Sequence, residues 1–204
     1  KTIMLQPFTQ FDVNCLENCF GHGISEIYLS FCNSASSIIQ LKNILISSGW
    51  NLNNLPKIIA KVESKAGLIN LEEICEHADA VLIDRGDLSR EVKISRIPSI
   101  VSSVVNTCKD LHIPCYIATN VLDSMMVEKL PSRAEISDIY HLLSIGVSGF
   151  VLAAEVAIGK HPVESVQVIK AMHMLYELEK RNLNIDTKMN ELIPMMPEPL
   201  RSWL

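Results

Sequence analysis

Short, continuously apolar segments recur along the chain and predict buried strands. Each is four or five residues long, is rich in Ile, Val and Leu, and lacks the alternation of a half-exposed strand. Continuous apolarity of this kind is typical of parallel sheets that are covered on both faces. The predicted strands are Ile27–Phe31, Ile58–Val62, Ala80–Ile83, Cys115–Ala118 and Gly149–Ala153.

Segments with helical periodicity lie between these strands and after the last one. Their apolar residues recur at three- and four-residue spacing, which places them on one face of a helix. Pro162 suits the first turn of the last segment, where a backbone N–H is not needed. The helical segments contain Ile38–Leu45, Leu71–Cys75, Ile100–Cys108, Ile136–Leu143 and Val163–Met172.

The alternation of strand and helix predicts an α/β fold built from five consecutive βα units. Right-handed crossovers would place the strands in one parallel sheet. An open, doubly wound sheet and a section of a (β/α) barrel fit the pattern equally well. A complete barrel has eight strands and about 250 residues, so a barrel made by this chain would be partial, or would close with another chain.

Composition narrows the class of protein. The 204 residues are 48% hydrophobic and 20% charged, as in a soluble globular domain. The net charge of −5 and the absence of a basic stripe argue against nucleic acid as a partner. No apolar run is long enough to span a membrane and Lys1-Thr2 does not begin a signal peptide, so we expect a cytoplasmic protein without a membrane partner.

The six cysteines form no CxxC pair, and four lie in apolar-periodic segments. This pattern predicts reduced, structural thiols. Near the end of the chain a polar stretch is followed by Pro194, Pro197 and Pro199. We therefore predict a folded region over residues 1–181 and a tail or linker over 182–204.

Polar residues gather where the predicted strands end. Taken alone, each of these residues has a structural explanation. Lys61 can extend to solvent, Asp87 can cap a helix, and Glu63 can be a surface acid. Together they predict a site, because the carboxyl ends of parallel strands meet at one edge. The residues are Lys61 and Glu63, then Arg85, Gly86 and Asp87, then Thr119 and Asn120, and finally Glu155.

The residue types indicate the chemistry of this site. Two carboxylates, Glu63 and Asp87, suit a hard divalent cation such as Mg²⁺. A lysine beside the cation stabilises negative charge on a phosphoryl group or an enolate oxygen. Gly86 lets backbone N–H groups approach an anion closely. The Arg-Gly-Asp sequence follows a buried strand, which argues against its display as an adhesion tripeptide.

Several segments resemble pyruvate kinase, in order and at the family's spacing, over about residues 5–180. Asp84-Arg85-Gly86-Asp87-Leu88 resembles the family's ARGDLG segment, and Ala118 to Met125 resembles ATQMLESM. The other matching segments are Ile58 to Glu63, Pro131 to Asp138, Leu152 to Glu155 and Gly159 to Glu164. The resemblance implies a partial (β/α) TIM-type barrel whose first strands lie outside the match.

The resemblance also implies a function in glycolysis: Mg²⁺- and K⁺-dependent phosphoryl transfer from phosphoenolpyruvate to ADP, giving pyruvate and ATP. It makes Lys61 the lysine beside the phosphoryl group, and Glu63 and Asp87 the ligands of Mg²⁺ or Mn²⁺. The backbone of Arg85, Gly86 and Asp87 would hold the substrate carboxylate, and Thr119 would lie over the enolate. The family's K⁺ ligands and much of its ADP site belong to strands that this chain lacks. Nucleotide binding is therefore expected only with those strands supplied, by an oligomer or a completing chain.

Some residues depart from the family pattern. Asp84 replaces an alanine beside the substrate carboxylate, Ala153 and Ala154 replace a serine and a glycine, and Asn33 replaces an arginine. Three functions remain open: a pyruvate kinase subunit or fragment, a metal-dependent lyase or aldolase acting on a pyruvyl enolate, and an inactive scaffold of the same fold. Nucleotide binding separates the first from the second, and loss of Mg²⁺ binding would indicate the third.

Overall fold

Five parallel strands form one sheet in the order β1-β2-β3-β4-β5, which is the order of the chain. A computed structural model describes residues 6–181 and Pro194. The predicted tail, 182–204, lies outside the described residues apart from Pro194. The strands are β1 Glu26–Leu29, β2 Lys57–Val62, β3 Ala80–Asp84, β4 Cys115–Ala118 and β5 Gly149–Val151. Each falls on a predicted apolar segment, and the α/β class is confirmed.

Helices alternate with these strands as predicted. All five periodic segments are helical, and Pro162 is the first residue of the last helix. Helices of the first part of the chain are α1 Gln10–Asn18, α2 Ala35–Ser47, α3 Lys65–Ile69, α4 Leu71–His77, α5 Arg85–Glu91 and α6 Ile97–Asp110. They are followed by α7 Arg133–Ile145, α8 Ala154–Ala157 and α9 Pro162–Lys180, and short 3-10 turns cover Leu52–Asn54, Ile94–Arg96 and Asp123–Met126.

Three short helices, α3, α5 and α8, have no counterpart among the periodic segments. Each has seven residues or fewer, too few turns for an apolar period to show. Two of them begin with side-chain caps: Ser64 accepts a hydrogen bond from the Gly67 N–H, and Asp84 accepts one from the Asp87 N–H. These caps satisfy N–H groups that have no partner within the helix. All three helices follow a strand closely and therefore shape the edge where the site was predicted.

The chain divides into two compact units, Lys1–Cys115 and Tyr116–Leu204. In the first, β1 and β2 pair in parallel, with Ile27 opposite Ile58, and β2 pairs with β3, with Lys61 opposite Leu82. Its core joins the sheet to α2 and α4 through Leu29, Ile38, Leu41, Leu45, Ile58 and Ile74. In the second unit β4 pairs in parallel with β5. Its core contains Val121, Leu122, Met125, Ile139, Leu143, Val168 and Met172.

All six cysteines are free thiols, and four of them are buried as predicted, namely Cys32, Cys75, Cys108 and Cys115. Burial raises the pKa of the Cys32 thiol to about 11, so this side chain behaves as a small apolar group. Among residues 6–181 no helix combines the length and apolarity that crossing a bilayer requires.

Candidate active site

Lys61 and Glu63 meet at the carboxyl end of β2. Lys61 is the penultimate residue of the strand and Glu63 follows its last residue, so the two side chains share one face. The Lys61 Nζ lies 2.6 Å from the Glu63 Oε1, and the two side chains are 22% and 1% exposed. A carboxylate this deeply buried needs a charged or hydrogen-bonding partner, and Lys61 provides one.

The second Glu63 oxygen is held by the end of β1. The Phe31 N–H donates to Glu63 Oε2 at 2.6 Å. Phe31 has a φ of +48°, an uncommon conformation for a residue with a side chain. Strained backbone of this kind persists where the surroundings stabilise it, and here it directs an N–H group at a buried carboxylate. Glu63 is therefore fixed from both sides before any ligand binds.

Asp84, the residue that departs from the alanine of the family motif, contributes a third carboxylate. It is the last residue of β3 and caps α5, with its Oδ1 accepting the Asp87 N–H at 3.2 Å. Its Oδ2 lies 3.7 Å from the Lys61 Nζ, and its side chain is 9% exposed. The sequence contained the signal, because an aspartate three residues before the first-turn Asp87 fits an N-cap.

Asp87 completes the cluster from the first turn of α5. Its side chain is 28% exposed, and the Arg90 Nε lies 3.4 Å from its Oδ1. Arg90 is itself 81% exposed, so this ion pair is weak and can be exchanged. Asp87 is thus the most accessible of the three acids.

The donor set fits a small divalent cation. One oxygen from each of Glu63, Asp84 and Asp87 lies within 4.8 Å of the others. Two oxygens bound to one Mg²⁺ at about 2.1 Å are separated by at most about 4.2 Å, so only a small inward movement is needed. Glu63 and Asp87, the two predicted ligands, are thus brought together, with Asp84 beside them.

The charges in the cluster favour a protonated Lys61. Burial opposes the charged ammonium, but the hydrogen bond to Glu63 and the charges of Glu63, Asp84 and Asp87 outweigh it and raise the pKa of Lys61. The three carboxylates outnumber the one partly buried ammonium, Lys61, while the exposed Arg90 also pairs with Asp87. This excess of negative charge is what a divalent cation neutralises.

Asn33, at the position of the family's arginine, links β1 to α3. Its Oδ1 accepts a short hydrogen bond from the Ser64 hydroxyl, and its carbonyl oxygen accepts the Asn70 amide at 2.8 Å. Ser64 is in turn the residue that caps α3. The side chain at this position therefore secures the loops beside Lys61 and Glu63 and adds no positive charge.

Thr119 and Asn120 lie in the second unit, at the end of β4. Both have positive φ values, +63° and +53°. The Thr119 hydroxyl donates to the Ala118 carbonyl at 2.7 Å, and the Asn120 amide donates to Asp123 at the same distance. Glu155, which is 1% exposed, accepts the Leu122 N–H at 3.2 Å and the Ala153 N–H at 2.8 Å. It thereby ties the loop after β4 to the end of β5.

Comparisons with known proteins establish the family of this chain. A family model described as the pyruvate kinase barrel domain matches residues 1–166. This chain belongs to the pyruvate kinase family. Pyruvate kinase from Thermococcus litoralis is 33% identical over 165 residues, covering 81% of this chain and 34% of the relative. Pyruvate kinase 2 of Saccharomyces cerevisiae is 30% identical over 190 residues, with coverage of 93% and 37%. A Geobacillus stearothermophilus pyruvate kinase is 35% identical over 153 residues, with coverage of 75% and 25%.

Family membership decides between the two sheet forms that the pattern left open. The match is to a barrel domain, so the five βα units are part of a (β/α) barrel. The chain spans about a third of the length of the pyruvate kinases it matches. The structure brings Lys61, Glu63 and Asp87 together, as the resemblance implied, while Thr119 stands in the second unit and its role stays a prediction.

Proposed function

We propose that this chain carries the metal-binding and phosphoryl-facing part of a pyruvate kinase active site. The reaction is transfer of the phosphoryl group of phosphoenolpyruvate to ADP, giving pyruvate and ATP. The observation that supports it best is the Lys61 ammonium beside two buried carboxylates, Glu63 and Asp84, and the half-buried Asp87, at the carboxyl ends of β2 and β3. Membership of the pyruvate kinase family supports the same reaction.

Glu63 and Asp87 are the proposed ligands of Mg²⁺ or Mn²⁺. When bound, the cation supplies charge stabilisation to the oxygens of the transferred group. Glu63 is held in place by the Phe31 N–H, so its geometry is set in advance. Phosphoryl transfer depends mostly on positioning and electrostatics, and both are properties of this cluster.

Lys61 is the proposed source of positive charge beside the phosphoryl group and the enolate oxygen. Its pKa is raised by its carboxylate neighbours, so it stays protonated at neutral pH. A fixed ammonium in a partly buried site stabilises developing negative charge more strongly than water does. The role proposed for Lys61 is therefore electrostatic.

The remaining substrate contacts come from two loops. The backbone of Arg85, Gly86 and Asp87 forms the first turn of α5, where N–H groups point away from the helix and bind carboxylates. Thr119 is proposed to lie over the enolate and near the proton that is added to make pyruvate. Nucleotide and K⁺ binding need residues from parts of the family's barrel that lie outside the match to this chain. We therefore also propose that a further segment or partner chain completes the site.

Proton exchange at the methyl group of pyruvate tests this function without a nucleotide. Deuterium incorporation from solvent, followed by NMR with Mg²⁺ and K⁺ present, reports enolate stabilisation alone. We expect Lys61→Met to slow the exchange by about 100-fold or more, because it removes the charge that stabilises the enolate.

Lys57→Met is the matched control, since Lys57 is exposed at the start of the same strand. It should exchange at the wild-type rate. Equal exchange by Lys61→Met and wild type would remove Lys61 from the mechanism. Absence of exchange in the wild type, with the completing segment also present, would support the inactive scaffold.

A further inference from the structure

The Asp84 carboxylate lies beside the backbone N–H groups that are proposed to bind the substrate carboxylate. Its Oδ1 accepts the Asp87 N–H at 3.2 Å, and its Oδ2 lies 3.7 Å from the Lys61 ammonium. The side chain is 9% exposed, so solvent screens its charge poorly. Asp84 is thus turned into the site and stays out of bulk solvent.

This position opposes an anionic ligand in two ways. The Asp87 N–H is one of the donors that the proposed function assigns to the substrate carboxylate, and Asp84 already occupies it. Asp84 also adds a negative charge beside that carboxylate. The alanine in the pyruvate kinase motif has neither an acceptor nor a charge at this point.

The same position favours a cation. Asp84 adds a third carboxylate to Glu63 and Asp87, which face the Lys61 ammonium and, at Asp87, the exposed Arg90. The added negative charge strengthens the attraction of the cluster for a divalent cation. Oxygen ligands from three side chains also hold such a cation better than two.

We propose that Asp84 sets the ligand preference of this site: it substitutes for the substrate carboxylate, binds the divalent cation in the absence of substrate, and lowers affinity for carboxylate anions. This inference rests on the proposed function, since it concerns the same metal and substrate positions. Asp84 is consequently a specificity-determining residue, and its effect is visible in binding without any turnover.

Two substitutions separate the charge of Asp84 from its cap. Asp84→Asn removes the charge and keeps an oxygen that accepts the Asp87 N–H, because asparagine caps helices as well as aspartate does. Asp84→Ala removes both. Isothermal titration calorimetry of the full chain with Mn²⁺ alone should show that each variant binds Mn²⁺ about tenfold more weakly than the wild type. A factor of this size is the usual effect of one nearby charge.

Titration with phosphoenolpyruvate at saturating Mn²⁺ should show the opposite change. We expect affinity about tenfold tighter in Asp84→Asn, and tighter still in Asp84→Ala, whose Asp87 N–H no longer has the Asp84 acceptor. Asp110→Asn, which removes an exposed acid at the end of α6, is the control and should match the wild type in both titrations. Circular dichroism should show the same helix content in all four proteins.

The outcomes distinguish this inference from the proposed function. If Asp84→Asn leaves either affinity at the wild-type value while Glu63→Gln weakens Mn²⁺ binding, the inference is wrong and the proposed metal site stands. If Glu63→Gln also binds Mn²⁺ like the wild type, or if the wild type does not bind Mn²⁺ at all, both are wrong.

Discussion

At the scale of single residues, buried carboxylates do most to organise this chain. Glu63 joins the Phe31 N–H to the Lys61 ammonium, and Glu155 joins two backbone N–H groups of the second unit. A buried carboxylate is tolerated only with such partners. Glu63 is suited to a chemical role because one of its partners is a charged side chain. Both Glu155 partners are backbone groups, so Glu155 fixes a loop.

Glu135 provides a prediction at this scale. It accepts the Ser124 N–H at 2.8 Å, the Ser124 hydroxyl and the Ser132 N–H at 2.6 Å. Burial opposes its ionisation, but these hydrogen bonds outweigh it and lower the pKa of Glu135 below its usual 4.5. We expect Glu135→Gln to lower the free energy of unfolding at pH 7 by about 1 kcal/mol, the typical value of a helix cap.

The pH dependence follows from the direction of that shift. Because folding lowers the pKa of Glu135, the ionised side chain stabilises the folded state above pH 4.5. This stabilisation is lost as the pH falls through the pKa of Glu135 in the folded state. Urea unfolding should therefore show the wild type and Glu135→Gln converging as the pH falls below 4.5. Glu128→Gln, an exposed control in the same unit, should show little difference at any pH. If the difference in free energy of unfolding between the wild type and Glu135→Gln stayed constant with pH, ionisation of Glu135 would not be the cause.

At the scale of elements, the helices are held by the sheet more than by their own sequences. Helix α2 contains four serine or β-branched residues in its first half, at positions 36 to 39, and these residue types favour other conformations. It also lacks a side-chain cap bond at Ser34. It is nonetheless a regular 13-residue helix, because Ile38, Leu41 and Leu45 are buried against the strands. Tertiary packing supplies most of the stability of such a helix.

Two adjacent residues of α2 test this view. Leu45 is fully buried and Ile46 is 39% exposed. Leu45→Ala should lower the free energy of unfolding by about 2–5 kcal/mol, the range for a deleted core side chain. Ile46→Ala should cost less than about 1 kcal/mol, since little apolar area is lost and alanine favours the helix. Chemical denaturation measures both, and equal losses would show that α2 is not anchored through Leu45.

At the scale of the whole molecule, the chain presents part of a barrel. Among the strands that the structure describes, β1 and β5 each have one neighbour, and an unpaired strand edge invites pairing with another segment. The chain also spans about a third of the pyruvate kinases it matches. The cluster of Lys61, Glu63, Asp84 and Asp87 is contained in the first unit, and the proposed nucleotide site needs residues outside the match.

This division predicts which partial activities the chain retains. A lactate dehydrogenase-coupled assay of the 204-residue chain should show no ADP-dependent conversion of phosphoenolpyruvate, while Mn²⁺ binding and pyruvate exchange persist. Adding a polypeptide that supplies the earlier strands of the barrel should restore turnover. Turnover by the chain alone would contradict the proposal, and exchange without turnover in the completed assembly would favour the lyase or aldolase.

The sequence by itself determined the succession of elements and most of the candidate site. Continuous apolar runs identify buried strands because burial on both faces requires them. The two-residue period of a strand places Lys61 and Glu63 on one face. Asp87 follows the next strand, so it is expected at the same edge of the sheet. Local pattern could not give the approach of Asp84 to Lys61 or the Phe31 N–H on Glu63. Those features depend on residues 23 and 32 positions apart meeting at the ends of neighbouring strands, and only the tertiary structure brings them together.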